Sequence, residues 1–343
     1  MKKQTVFFIA LLITAIVLFL LNLTYGSVTI PFREVWHIIT GNVVGDEAYH
    51  TIVLKLRLPA AIAAATAGMA LSTAGLSMQT LFRNPLAESS ILGVSSGASL
   101  GVALVTLVSG KYIFDNIFLL STTSPLSGGL EGAIILLAAF AGAMIVLIFI
   151  ALLAQRVSTT TLLLIGVMLS FSVSAVTGIL QFFASKEGLQ SFVIWGMGSF
   201  KNVTISQSLL SLSTATILVV VLFFHCKGLN VFSIGESYAV NSGVKIRRLT
   251  TSTLLIAGGL TAITTAFCGP IAFIGLMTPH FSRMLFKTFN HRTLIFACIL
   301  MGMSLMLLCN VIATLPGSES VLPINAITSI IGAPVVIFLI LKK

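Results

Sequence analysis

Acid, base, nucleophile and metal-ligand chemistry is scarce in this chain: nine carboxylates, five histidines and four cysteines are spread over 343 residues. Cys226, Cys268, Cys298 and Cys309 lie in or beside apolar stretches without the close CxxC spacing of a zinc or redox site, so they read as small core residues. His280 follows Pro279 near the end of an apolar run. A proton relay or ligand there would need an ionisable neighbour at the same depth, and the sequence offers none, which favours a structural role. There is no GxxxxGK[ST] phosphate loop, no GxGxxG after a strand, no HExxH and no nucleophile elbow. The chain is therefore expected to bind no nucleotide, metal or other cofactor directly and to perform no covalent chemistry, leaving any ATP hydrolysis to a partner.

The elements around these few groups are apolar on every side. With 57% hydrophobic and 8% charged residues, a soluble fold of this length would lack the polar surface to cover itself. Runs such as 133–154 are long enough to cross a bilayer and lack the alternation of a membrane β-strand, which leaves helices. The expected fold is an all-α integral membrane protein of about ten transmembrane helices, forming a single domain over 1–343. The helices are placed near 5–25, 58–82, 90–108, 132–154, 161–184, 204–225, 249–267, 271–287, 293–313 and 323–341. The eighth begins at Gly269-Pro270 and contains Pro279, so a broken or re-entrant element is an alternative to a full span. Lys2 and Lys3 precede an apolar run longer than a signal-peptide core and without a cleavage site, so a retained first helix is expected.

Charge sets the orientation. With both termini in the cytoplasm, 13 of the 19 basic residues fall in inner loops, among them Arg83, Arg156, Lys227, Arg247, Arg248 and Arg292. Seven of the nine carboxylates fall outside; Glu88 and Glu236 are the inner two, and none is expected at the midplane. Because the positive residues are scattered through loops rather than interleaved with aromatics, a nucleic-acid partner is excluded, and lipid is the expected surrounding.

Helix 59–81 is built largely of Ala, Gly, Ser and Thr, which places it inside the bundle. Gly93, Gly97 and Gly101 form a small-xxx-small ladder on which another helix could close. The loop 121–129 is merely rich in Ser, Thr and Gly.

Two segments go beyond composition. Arg83-Asn84-Pro85-Leu86-Ala87-Glu88 runs into Leu92-Gly93-Val94-Ser95-Ser96-Gly97-Ala98, and Gly269-Pro270-Ile271 continues through Phe273-Ile274-Gly275-Leu276 to Pro279-His280. With Arg57-Leu58-Pro59 upstream and Leu322-Pro323 through Gly332-Ala333-Pro334 downstream, their order and spacing resemble the iron-chelate and cobalamin permeases of bacterial ABC importers over nearly the whole chain.

That resemblance implies a type II importer permease of the bacterial inner membrane. It would be a homodimer with a path on its two-fold axis, two ATPase subunits beneath, and a periplasmic or lipid-anchored substrate-binding protein above. The substrate would be a metal chelate such as an iron siderophore, haem or cobalamin, moved by alternating access. The segment at about 228–248 resembles the family's cytoplasmic coupling segment, with Gly235, Glu236, Ala239 and Gly243 at matching positions. Ser158 and Thr159 match the segment that narrows the inner mouth, and their hydroxyls suit either a gate or a helix N-cap. Arg57 matches one outer arginine that would pair with a carboxylate of the binding protein. Ala60 and Thr314 stand where others are expected, which leaves docking to Arg57 and Lys55. The rival is a secondary transporter or channel without an ATPase, which would carry ionisable residues within its helices. A membrane-embedded enzyme ranks third, since no catalytic set is present.

Overall fold

The computed structural model describes residues 2–41, 47–108, 130–314 and 321–341. The loop 121–129, Asp46, Lys111, Asp115, Glu319, Lys342 and Lys343 lie outside the described residues, as does the side chain of Glu131. Among the described residues the regular elements are all helical. In chain order they are α1 (Lys2–Thr24), α2 (Phe32–Ile39), α3 (Glu47–Thr51), α4 (Leu58–Leu81), α5 (Val94–Ala103), α6 (Leu130–Leu153), α7 (Thr159–Phe182) and α8 (Lys186–Gly196). They continue with α9 (Ile205–Phe224), α10 (Cys226–Ile234), α11 (Glu236–Asn241), α12 (Ile246–Cys268), α13 (Ile274–Phe286), α14 (His291–Ala313) and α15 (Ile324–Leu341).

Among the described residues, seven helical stretches are long and apolar enough to cross a membrane: α1, the run Glu47–Leu81, α6, α7, α9, α12 and α14. The remaining three expected positions hold shorter helices, and the backbone explains two of them. Gly93, at φ +85°, stands between the 3₁₀ turn Ser89–Leu92 and α5, so the fifth element starts four residues late. Gly269 at φ +76° and Phe273 at φ +70° hold 269–273 out of helical geometry, which cuts α13 to 13 residues. The broken alternative for this segment is the one observed. In the second stretch a π turn, Ile52–Arg57, closed by Leu58 N–H on Val53 O, runs without a break into α4, whose first turn holds Pro59.

α4 is the axis of the bundle. All of its residues except Leu58, Ala60 and Ile62 are buried, and α9, α12, α13 and α14 pack around it. Small side chains make this possible: a Cβ on Gly68 would overlap the Gly302 carbonyl of α14, and one on Gly75 would overlap the Gly275 carbonyl of α13. Without a hydrophobic drive between helices in lipid, such backbone contact is what dispersion and polar bonding need. A second contact joins α5 to α6, where Gly97 meets the Gly142 carbonyl and Gly101 meets that of Ala138. Gly93 does not belong to this ladder. It turns the chain into α5, and its nearest neighbour across the gap is Ser170 Oγ, 3.2 Å from where a Cβ would stand.

The contacts also sort the loops into two groups. At one end Gln4 Nε2 donates to Phe286 O at 3.4 Å, Arg83 reaches Phe232 O, and His291 N donates to Asn230 Oδ1. At the other, Arg57 reaches Leu23, Ser199 N donates to Cys268 O at 2.9 Å, and Asn325 N donates to Met197 O at 3.2 Å. The first group holds loops that the charge pattern assigned to the cell interior.

Candidate coupling and docking sites

At the end assigned to the interior, α10 and α11 form an angled pair. α10 buries Cys226, Leu229 and Phe232 against the bundle, whereas α11 buries only Ala239. Glu236, Tyr238 and Val240 are exposed on α11. Its end is closed by two bonds, Gly243 N to Val240 O at 2.9 Å and Val244 N to Ala239 O at 3.0 Å. This pattern needs a left-handed residue, which Gly243 supplies at φ +79° with open space around it. Gly235, in extended geometry between the two helices, sets their angle. The four residues singled out from the sequence are thus brought together on one projecting element.

Ser158 is engaged as the N-cap of α7, its Oγ accepting from Thr161 N at 3.2 Å and lying 2.9 Å from Thr161 Oγ1. Thr159 is partly exposed beside it. The cap is therefore present, and the surface that a gate would use adjoins it.

At the opposite end, Arg57 does not project. Its Nη1 donates to Leu23 O at 2.9 Å and Thr24 O at 2.8 Å, and its Nη2 to Val28 O. The last carbonyls of α1 have no intrahelical partner, and a guanidinium with its fixed fork satisfies two of them at once. The reading of Arg57 as an outward docking group must accordingly be corrected: its donors hold the end of α1 against the start of α4. Lys55, two residues earlier, is exposed. Beside Arg57 opens a cavity of about 140 Å³, lined among others by Asn22, Tyr25, Lys201, Asn310 and Thr314. Beneath it Asn310 Nδ2 donates to Asn22 Oδ1 at 2.7 Å, and Asn22 Nδ2 donates to Leu307 O at 3.0 Å, so α1 and α14 are joined by paired amides.

The sequence reading misplaced Glu88. Instead of lying in an inner loop, the connector after α4 folds back into the bundle, and Glu88 is 7% exposed. Its Oε1 lies 3.0 Å from where a Cβ of Gly275 would stand, at the level of Leu71, near the middle of α4. The backbone N–H groups of Phe273 and Gly275 and the Ser90 hydroxyl donate to the carboxylate. It therefore caps the positive N-terminal end of the interrupted α13 from a distant part of the chain. Next to it the Ser89 and Thr261 hydroxyls are hydrogen-bonded, tying the connector to α12. A carboxylate inside the bundle is what the secondary-transporter rival required, but three protein donors occupy this one, and among the described residues no second acid adjoins it. Nor, among those residues, do three His, Cys, Asp or Glu side chains come together in a way that could hold a metal ion. The four cysteines are buried and unpaired, and burial raises the thiol of Cys226, the one outside the spanning helices.

Sequence reasoning also missed α2 and α8, short amphipathic helices, and the ties of Arg57. The signal for Glu88 was a lone carboxylate directly after Pro85-Leu86-Ala87, with a Gly-Pro break elsewhere that left backbone donors unpaired.

Comparison with known proteins covers almost all of this architecture. The FecCD transport family matches residues 13–342. The vitamin B12 import system permease protein BtuC of Salmonella typhi is 34% identical over 294 residues, covering 85% of this chain and 84% of that protein. BtuC of Salmonella newport strain SL254 aligns equally well, at 34% over 294 residues, with the same 85% and 84% covered. A solved structure of a metal-chelate type ABC transporter in an inward-facing conformation superposes with a TM-score of 0.82 at 27% identity, covering 98% of this chain and 99% of that one.

Proposed function

The chain belongs to the FecCD transport family, and from that premise we propose that it is the permease subunit of an ATP-driven importer for a metal chelate or corrinoid. In this reading two copies enclose a path on their common axis. Two ATPase subunits sit against α10 and α11, and a substrate-binding protein sits over the opposite end. The substrate class extends to iron siderophores, haem and cobalamin, and selection among them falls to the binding protein. The subunit transmits work and performs no bond chemistry.

The observation that carries this reading is the projecting α10–α11 element at the basic end. Exposed Glu236, Tyr238 and Val240 on a short helix held by one buried alanine form a surface without an evident task inside the chain. A partner that closes on binding ATP could push this element and so drive the inner and outer mouths open in turn. Ser158 and Thr159 would then line the inner mouth, where small hydroxyls can meet across the axis without burying a charge. At the other end Lys55, rather than Arg57, would face the binding protein, with its charge acting chiefly on association rate.

Purification from native membranes tests the proposal. A tagged subunit should bring down a Walker-motif ATPase in equal amount, and the reconstituted complex should take up chelate only with ATP. Uptake by the subunit alone would overturn it.

A further inference from the structure

The last turn of α4 is a junction of four elements. Gln79 Oε1 accepts from Arg283 Nη1 at 2.6 Å, and Gln79 Nε2 donates to Leu276 O at 3.0 Å, which ties α13 to α4. One residue on, Thr80 Oγ1 lies 2.8 Å from Nε2 of His291, the buried first residue of α14. The same imidazole places Nδ1 2.7 Å from Asn230 Oδ1 on α10, and the His291 backbone N–H donates to that oxygen at 2.8 Å. A ring protonated on Nδ1 suits the Asn230 oxygen, and its Nε2 accepts from the Thr80 hydroxyl when that group turns away from Leu76 O, which lies 2.9 Å from the same Oγ1. The imidazole thus bridges α4, α14 and α10.

Arg83 makes a second bridge. Two bonds, Arg83 N to Thr80 O at 3.3 Å and Asn84 N to Gln79 O at 3.2 Å, close the helix end in the pattern that normally takes glycine, yet the residue there is an arginine at φ +47°. A side chain with a Cβ is disfavoured in this conformation, so the position is occupied for what the side chain does. Its Nη2 donates to Phe232 O of α10 at 3.1 Å, and its guanidinium carbon stands 4.9 Å from the Phe232 ring centroid. The ties that Asn230 and Phe232 of α10 make thus converge on the end of α4 and on its neighbour His291.

We propose that Arg83 and His291 are positioning residues that lock α10 to the end of α4, so that a displacement of α10 and α11 moves α4, α13 and α14 as one body. The proposal rests on the reading of α10–α11 as the surface that meets the ATPase, and its test separates the two. In proteoliposomes holding the whole complex, transport and ATP hydrolysis are measured together.

Arg83→Gly suits the backbone and removes only the bridge. It should assemble and hydrolyse ATP at the wild-type rate while substrate moved per ATP falls at least tenfold. His291→Leu should do the same, whereas His291→Gln, which supplies a donor and an acceptor, should restore coupling to within about threefold. Wild-type coupling in Arg83→Gly and His291→Leu would overturn the proposal, and so would a proportional loss of transport and hydrolysis together with assembly, which marks a merely structural role. Should Arg83→Gly alone fail to assemble, the contrast between His291→Leu and His291→Gln decides, and equal coupling in those two overturns it. A wild-type complex with no ATP-driven uptake would instead sink the importer reading, with or without the junction.

Discussion

α4 and α7 are both 24 residues long, and they solve opposite problems. α4 is surrounded, so its side chains are small and backbones approach through Gly68 and Gly75. α7 buries only Leu162, Gly166, Val173 and Thr177, and turns Leu164, Met168, Phe171, Ile179 and Phe182 outward, the last 82% exposed. The comparison inverts the rule for water: here large apolar side chains mark the surface, and small or hydroxylated ones mark the interior. Lipid accepts leucine and phenylalanine without cost, and helix association depends on close fit instead. Information for the fold is therefore concentrated in α4 and its neighbours.

Substitutions can break or sharpen that contrast. Gly75→Leu drives a side chain into the Gly275 carbonyl and should cost upward of about 4 kcal/mol, leaving no folded protein in detergent. A normal yield would mean that α4 is not tightly enclosed. Glu88→Leu strands the Phe273 and Gly275 N–H groups, at roughly 1–3 kcal/mol each, while Glu88→Gln keeps an acceptor and should lose about half as much; thermal unfolding in detergent reads the difference. On α7, Ser158→Ala removes the cap and should cost about 1 kcal/mol by the same assay. If chelate leak across resting vesicles rises as well, Ser158 also serves the gate. Smallest of all, Phe171→Ala should stay within about 0.5 kcal/mol for the isolated chain. A cost like that of emptying a core site, roughly 2–5 kcal/mol, would show that this face of α7 is covered.

Much of this was legible in the amino acids because apolar length is a direct physical requirement of spanning. Helix 58–82 became Leu58–Leu81 and 204–225 became Ile205–Phe224. The small-residue content of α4 announced its burial, and Gly243 announced a turn. What stayed hidden depends on contacts between distant parts of the chain. Glu88 was assigned to a loop by its charge, although the unpaired donors it satisfies lie nearly two hundred positions away. Arg57 was assigned outward by its match to the family's outer arginine, and nothing local reveals that the end of α1 needs its donors. Gly93 shared the spacing of Gly97 and Gly101 without sharing their task, because spacing cannot tell a turn from a face.

The amide pair between Asn22 and Asn310 has a consequence for how the molecule is made. These residues are 288 positions apart, and at roughly 5–20 residues per second the ribosome needs about 15–60 s to travel from one to the other. For that interval the first helix sits in the bilayer with a carboxamide oxygen whose eventual donor has not been synthesised. Its attachment is therefore one of the last events of biogenesis, and the newborn chain waits, half assembled, for α14 to arrive.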